Sequence, residues 1–438
     1  MRFLRRRRAR NPRFGADTWV YIAVALAMGF VLPRINELYF PAFVSPIDKP
    51  SITAILSAIA SGMMTLTGIV FSLVFVILQF GSSAYSPRLI RLFARTHVLN
   101  HALGIFTGTF FYSLMALREV GIRGRANVSA VTVWVAMVWL LASVAALALL
   151  LRVFTALTIT NVLTALGRAG RTSIARIYSP LSSEEDAGRR ARPPHQPRQG
   201  AERASRAVVY HGEPGYVVRY DTAALLALAR KNDSVIRLPY AVGDALKDGE
   251  PVALIEGPDS AITDEQLYEP IVLGRERRFQ HDPKYALRLL VDTAIRALSP
   301  AVNDPTTAVQ SLDHIESLLR RLGNVDLDIG EIRDSDGALR VIFKTPRWED
   351  YLLLGLSEVM YYGETSLQVE RRLEALLLFL RRSVPQSRAE IVDRFYEQRR
   401  AMSSAAFTDA TLRDVANVPD REGIGSGDGI VTGHVRAP

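Results

Sequence analysis

Apolar residues fall in four long blocks early in the chain and at helical or alternating spacing afterwards. The blocks run from about Thr18 to Pro33, Ser51 to Phe80, Val98 to Leu117 and Val128 to Leu151. A bilayer core of about 30 Å needs about 20 apolar helical residues to cross it, so this pattern predicts four transmembrane helices over residues 18–151. The second block is the longest, with no Asp, Glu, Lys or Arg between Ser51 and Pro87. Ser57, Ser61, Gly62, Thr65, Thr67, Gly68 and Ser72 are mixed there with Ile, Leu, Val and Phe. Small and hydroxylated residues permit close helix approach and hydrogen bonds across the contact. The block therefore reads either as a buried bundle helix or as one lining a polar path or subunit interface.

Beyond the fourth block the spacing changes. Val153, Leu157, Leu163, Leu166, Ile174 and Ile177 predict a juxtamembrane amphipathic helix over 152–181, lying along the inner headgroups or continuing out of the membrane. Residues 182–206, rich in Ser, Glu, Arg, Pro, Gln and Gly, read as a disordered linker. Short β-branched runs between Gly-Asp and Asp-Gly turns predict a β module over 207–263. Its Gly-Tyr-Val, Val-Gly-Asp and Asp-Gly-Glu-Pro turns resemble the barrel-sandwich module of lipoyl-like and membrane-adaptor proteins. A carrier lysine in its usual Asp-Lys-Ala or Met-Lys-Met setting does not occur, which excludes a lipoyl or biotin carrier. Residues 264–403 predict a mainly helical domain. Asp282-Pro283 and Asp304-Pro305 each place a capping carboxylate before a proline at the first helical position. Residues 404–438 have little to bury and read as a flexible tail.

Charge adds orientation. The 438 residues carry a net charge of +9, and Arg2, Arg5 to Arg8, Arg10 and Arg13 crowd the basic N-terminus, residues 1–17. Beside a hydrophobic span such a cluster sets topology or binds anionic lipid, and nucleic acid is not expected as a partner. With the N-terminus inside, Arg88, Arg91, Arg95, Arg152, Arg168, Arg171 and Arg176 are also internal, leaving Arg34, Lys49, Arg118, Arg123 and Arg125 outside. Both termini are therefore expected in the cytoplasm. The chain has no cysteine, which excludes disulfides, thiolate metal sites and cysteine nucleophiles.

Three separated blocks carry a family resemblance. Leu78 to Leu89, Gly104 to Phe110 and Asp292 to Ala308 resemble the "LQFASSQFSPR", "GxFxGTF" and "D-A-RALSPAxNDPTTA" signatures of a bacterial membrane-protein family, domain of unknown function 2254. The resemblance implies a multi-pass protein of the bacterial inner membrane with a cytoplasmic α+β region. It implies no activity.

Candidate chemistry is sparse. His281-Asp282, Asp292, Asn303-Asp304, Thr306-Thr307 and Asp313-His314 gather metal-binding and acid–base residue types. Capping explains the Asp-Pro pairs, Asp313 and His314 are expected on a helix surface, and Asp292 and Asn303 are the positions that capping leaves unexplained. No catalytic motif, cofactor fingerprint or metal spacing is present. Ser57, Ser61, Thr65, Gly68, Ser72, Gln79, Gly104 and Gly108 are candidate pore-lining or helix-packing positions. Gln79 opens a polar turn to Arg95 that reads as an interfacial turn or a gate. His101 is expected near the inner end of the third span, and Arg118–Glu119 as an exposed pair near the outer face. The reading is an oligomeric channel or transport-like assembly regulated by its cytoplasmic domain. The alternatives are a membrane-anchored sensor or scaffold and, more remotely, a membrane-bound hydrolase using Asp292, Asn303 and Asp304.

Overall fold

A computed structural model describes residues 16–39, 45, 47–84, 97–122, 130–156, 158–181, 205–257 and 262–423. The basic N-terminus before Ala16, the turn from Tyr85 to Arg95, most of the linker and the last fifteen residues lie outside the described residues. The chain forms two compact units, Met1–Thr158 and Ile159–Pro438.

The first unit is helical: α1 (Ala16–Tyr39), α2 (Lys49–Ala84), α3 (His97–Ile122) and α4 (Ala130–Ala156). Among the described residues, three stretches are long and apolar enough to cross a membrane, Thr18–Ile35, Lys49–Val76 and Ala130–Val153. The third expected span, α3, is a full-length helix but falls short of their hydropathy, because it carries Asn100, His101, Arg118 and Glu119 among small and hydroxylated residues. It packs against α1, α2 and α4 and buries Ala102, Phe106, Thr109, Tyr112, Ser113 and Ala116. Thr109 Oγ1 and Ser143 Oγ lie 2.8 Å apart between α3 and α4. The Tyr112 hydroxyl donates to Thr132 O at 2.9 Å. A helix surrounded by helices needs polar partners more than grease. Glu119 corrects an expectation: it is buried, with Arg118 3.7 Å away on the exposed side.

The second unit opens with α5 (Ile159–Ile177). Its apolar stripe does not face headgroups. Val162, Leu163, Leu166, Gly167, Gly170 and Ile174 are buried against α8 (Pro283–Ala297) and α9 (Pro305–Leu322). The glycines let the helices close: a Cβ at Gly167 would lie 2.7 Å from His314 Nδ1, and one at Gly170 2.7 Å from Leu318 Cδ1. His314 is thus half-buried beneath α5 and not on an open helix surface.

Before that hairpin come β1 (Ser205–Val209), β2 (Gly215–Tyr220), α6 (Thr222–Lys231), β3 (Val235–Leu238), β4 (Ala245–Leu246), β5 (Pro251–Glu256), α7 (Asp264–Tyr268) and β6 (Ile271–Gly274). After it come β7 (Glu331–Arg333) and β8 (Leu339–Phe343). One sheet has the order β1-β5-β3-β8-β7 and the other β4-β2-β6. Val208, Val217, Leu225, Ile236, Leu246, Ile255 and Val341 share one core from both sheets and α6. The sheet does not end at residue 263, because β3 pairs in parallel with β8, Ile236 opposite Val341.

The C-terminal helices are α10 (Trp348–Leu352), a π turn (Leu353–Ser357), α11 (Glu358–Gly363), α12 (Leu367–Ser383), α13 (Gln386–Ala406) and α14 (Ala410–Ala416). The expected flexible tail is corrected in part. Asp409 caps α14 through the Thr411 and Leu412 amides, Ala416 is fully buried, and Arg371 Nε donates to Val418 O at 3.0 Å.

Candidate functional site

In α2 the residues divide by face. Ile52, Leu56, Ile59, Ala60, Met63 and Val70 are buried, on the side that packs against α3. At 3.6 residues per turn, Ser57, Ser61, Thr65, Gly68, Ser72 and Gln79 fall within an arc of about 80° on the opposite side. All six are exposed. A Cβ at Gly68 would meet nothing within 4 Å. The Ser61 and Thr65 hydroxyls donate to carbonyls one turn back, Ser57 O at 2.8 Å and Ser61 O at 3.0 Å. This back-bonding satisfies both hydroxyl protons within the helix.

Gly104 and Gly108 do different work. A Cβ at Gly104 would lie 2.5 Å from Tyr21 Cδ2 of α1, and one at Gly108 2.9 Å from Trp139 Cζ3 of α4. Their close-packing face is occupied within the chain. His101 Nδ1 lies 3.3 Å from the Tyr21 hydroxyl in the same contact.

The Asp292–Thr307 block resolves into separate structural parts. Arg288 Nε donates to Asp292 Oδ1 at 2.5 Å, and its two terminal nitrogens clasp Glu358 at 2.6 and 2.7 Å. That clasp holds the Glu358 carboxyl below its ordinary pKa. Asn303 is exposed and takes φ +47, a left-handed conformation that asparagine tolerates better than most residues. It turns the chain between α8 and α9, where the Asp304 amide donates to Ala297 O at 2.8 Å. Asp304 caps α9, accepting from the Thr307 amide at 3.0 Å and from its hydroxyl at 2.6 Å. Thr306 is exposed and borders a cleft of about 650 Å³ with Gln310, Asp313, Gln368, Arg371 and Asp420. Asp313 and Glu316 both pair with the buried Arg372, at 2.9 and 2.8 Å. Among the described residues no three His, Asp or Glu side chains gather as metal ligands.

Asp282 departs from its expected capping role. It stands before Pro283 at the start of α8, yet its side chain makes no capping bond, and both carboxylate oxygens are buried without a hydrogen-bond partner among the described residues. The Tyr285 amide donates to the Asp282 carbonyl instead, at 3.1 Å. The carboxylate lies against Gly243, whose φ of +91 and missing Cβ make room for it. Burial pushes its pKa up to about 6, against the pull of Lys284 and Arg277. Sequence reasoning could not find this, because Asp-Pro has the same local signature at both helices.

A family model described as "Predicted membrane protein (DUF2254)" matches residues 17–378. An uncharacterized protein of Mycobacterium bovis and one of Mycobacterium tuberculosis are each 29% identical over 380 residues, covering 82% of this chain and 71% of theirs. No solved structure matches the chain.

Proposed function

Because the chain belongs to the DUF2254 family of predicted membrane proteins, we propose that it works as a four-span inner-membrane protein whose copies associate through α2 into a channel or transport-like assembly. The observation that carries this reading is the exposed face of Ser57, Ser61, Thr65, Gly68, Ser72 and Gln79, turned away from the helices of its own unit. A lipid-facing surface gains nothing from hydroxyls and glycine, whereas a facing helix or a water path does. Since Gly104 and Gly108 are filled from within the chain, association rests on α2 and not on α3. The fourth span is α3, carried across by the apolar helices around it. The Lys and Arg bias supports both termini in the cytoplasm, with Ile159–Pro438 assembling or regulating the membrane part.

A second reading treats the spans as an anchor for a sensor or scaffold in Ile159–Pro438. It is favoured by the two sheets and α6 that share one core in that unit. A hydrolytic reading loses support, because Asp292 is engaged by Arg288 and Asp304 by Thr307.

Gly68→Leu tests the leading reading. Filling the open space at Gly68 is expected to weaken self-association in detergent by about tenfold, equivalent to about 1.4 kcal/mol, read by light scattering. Ion or solute flux in reconstituted vesicles is expected to fall with it. A wild-type protein that passes nothing under varied voltage, tension and pH would sink the transport assignment.

A further inference from the structure

α5 is the first helix of the Ile159–Pro438 unit, and in the chain it follows directly on α4, which ends at Ala156. Two glycines seat it. Gly167 and Gly170 stand about one turn apart on α5, as His314 and Leu318 do on α9. A Cβ at Gly170 would lie 2.7 Å from Leu318 Cδ1 and 3.1 Å from Ala286 Cβ of α8. That end of the seat is apolar.

The other end carries ionisable groups. The position of a Cβ at Gly167 lies 2.7 Å from His314 Nδ1 and 3.2 Å from Arg171 Nη1. Imidazole and guanidinium are therefore within twice that larger distance of each other, with the His314 ring half-buried under α5. The guanidinium is charged at every accessible pH, whereas the imidazole changes charge near neutrality. Asp313 is beside His314 on α9, but its carboxylate is held by Arg372 of α12 at 2.9 Å, and the same Arg372 takes Glu316 at 2.8 Å. α8 meets the seat with Ala286, which has no charge to offer.

We propose that the contact of α5 with α8 and α9 is a pH-sensitive joint, in which a proton on His314 sets a cation against Arg171 beneath Gly167 and loosens α5. Two like charges at this separation repel strongly where burial lowers the dielectric. Burial holds the His314 pKa below its ordinary 6.5; the Asp313 charge opposes this and Arg171 adds to it. The proton thus binds more weakly with α5 seated than with α5 free. The penalty is absent above 6.5, grows as the pH falls through that value, and is complete below the seated pKa. That such loosening reaches the membrane part rests on the regulatory role proposed for Ile159–Pro438; the joint itself does not.

The test reads the seating of α5 by thiol labelling of the full chain in nanodiscs. The chain has no cysteine of its own. Ser173→Cys places a thiol on the buried side of α5, at a hydroxyl without a hydrogen-bond partner among the described residues. Ala175→Cys places one on the exposed side of the same helix. The ratio of their maleimide rates cancels the pH dependence of the thiolate. The ratio is expected to rise between pH 7.5 and pH 5.5, about tenfold for each unit by which seating lowers the His314 pKa. In the His314→Gln background it should stay flat, with protection at pH 7.5 equal to that of the parent. Arg171→Gln, at a partly exposed position, should reduce the rise, and it decides the matter if His314→Gln leaves α5 unprotected at pH 7.5. A flat ratio in the parent, an equal rise in His314→Gln, or an unchanged rise in Arg171→Gln would overturn the joint. Labelling reports α5 alone, so a protein that passes no solute can still show the joint, and a conducting protein with flat labelling refutes the joint and spares the channel.

Discussion

Arg399→Ala is expected to destabilise the Ile159–Pro438 unit by about 3–5 kcal/mol, because it leaves two buried carboxylates without their cation. Arg399 on α13 is fully buried between Glu370 and Glu374 of α12, at 2.9 and 2.5 Å. It also donates to Asn417 Oδ1 at 2.6 Å and so ties the segment after α14 to the same centre. Burial pushes the Glu370 carboxyl up to about 7, even with Arg399 pulling it down. The sign follows from that raised value. The ionised form is penalised in the fold, so its cost is absent below the ordinary carboxylate pKa of 4.5 and complete above about pH 7. Without Arg399 the penalty grows, so the variant's loss should be largest at pH 8 and should shrink towards pH 5, where Glu370 can bind a proton. Chemical denaturation of the full chain at the two pH values measures this. A loss below about 1 kcal/mol at pH 8 would mean that the network is solvated like a surface pair. Adding Glu370→Gln and Glu374→Gln to the variant is expected to recover much of the loss, since no uncompensated charge then remains buried.

Asp282→Asn is expected to act in the opposite direction. A carboxyl raised from 3.8 to about 6 in the fold costs about 3 kcal/mol at neutral pH. That cost is absent below about pH 4, builds as the pH rises through the folded value, and is complete above it. The asparagine variant should therefore be more stable than the wild type at pH 7.5, by up to about 3 kcal/mol, and no more stable at pH 4. Melting curves across that range decide it. A variant that loses stability at pH 7.5 would show that the carboxylate has a partner in the folded protein. A residue that costs stability at its own address is a candidate for function.

What the sequence made legible was what depends on near neighbours. The cap of Asp304 on Thr307 is a contact across three residues, and its Asp-Pro dipeptide announces it. Asp282-Pro283 carries the same signal and fails, because the loop that supplies Gly243 comes from a distant part of the chain and packs over the carboxylate. The small and hydroxylated residues of α2 stand out in the sequence, but their gathering on the face away from α3 is seen only in the fold. α14 was missed because seven residues are too few to show a helical period; its order comes from Asp409 at one end and the Arg399–Asn417 bond at the other. The parallel pairing of β3 with β8 joins residues about a hundred positions apart, and no local pattern encodes it. Asn303 was singled out as unexplained by capping, and the explanation is backbone conformation, φ +47 at a tight interhelical turn.

The central claim, that the small hydroxylated face of α2 meets a second copy, is tested most directly by disulfide trapping in native membranes. The absence of cysteine makes every introduced thiol a clean reporter. Single cysteines would be placed in turn at each position from Leu56 to Ser72 and oxidised. The account predicts dimer formation that peaks at Ser57, Ser61, Thr65, Gly68 and Ser72 and is absent at Leu56, Ile59, Met63 and Val70, which face the interior of the unit. Cross-linking that ignores this periodicity, or none at any exposed position, would contradict it and leave α2 as a helix facing lipid.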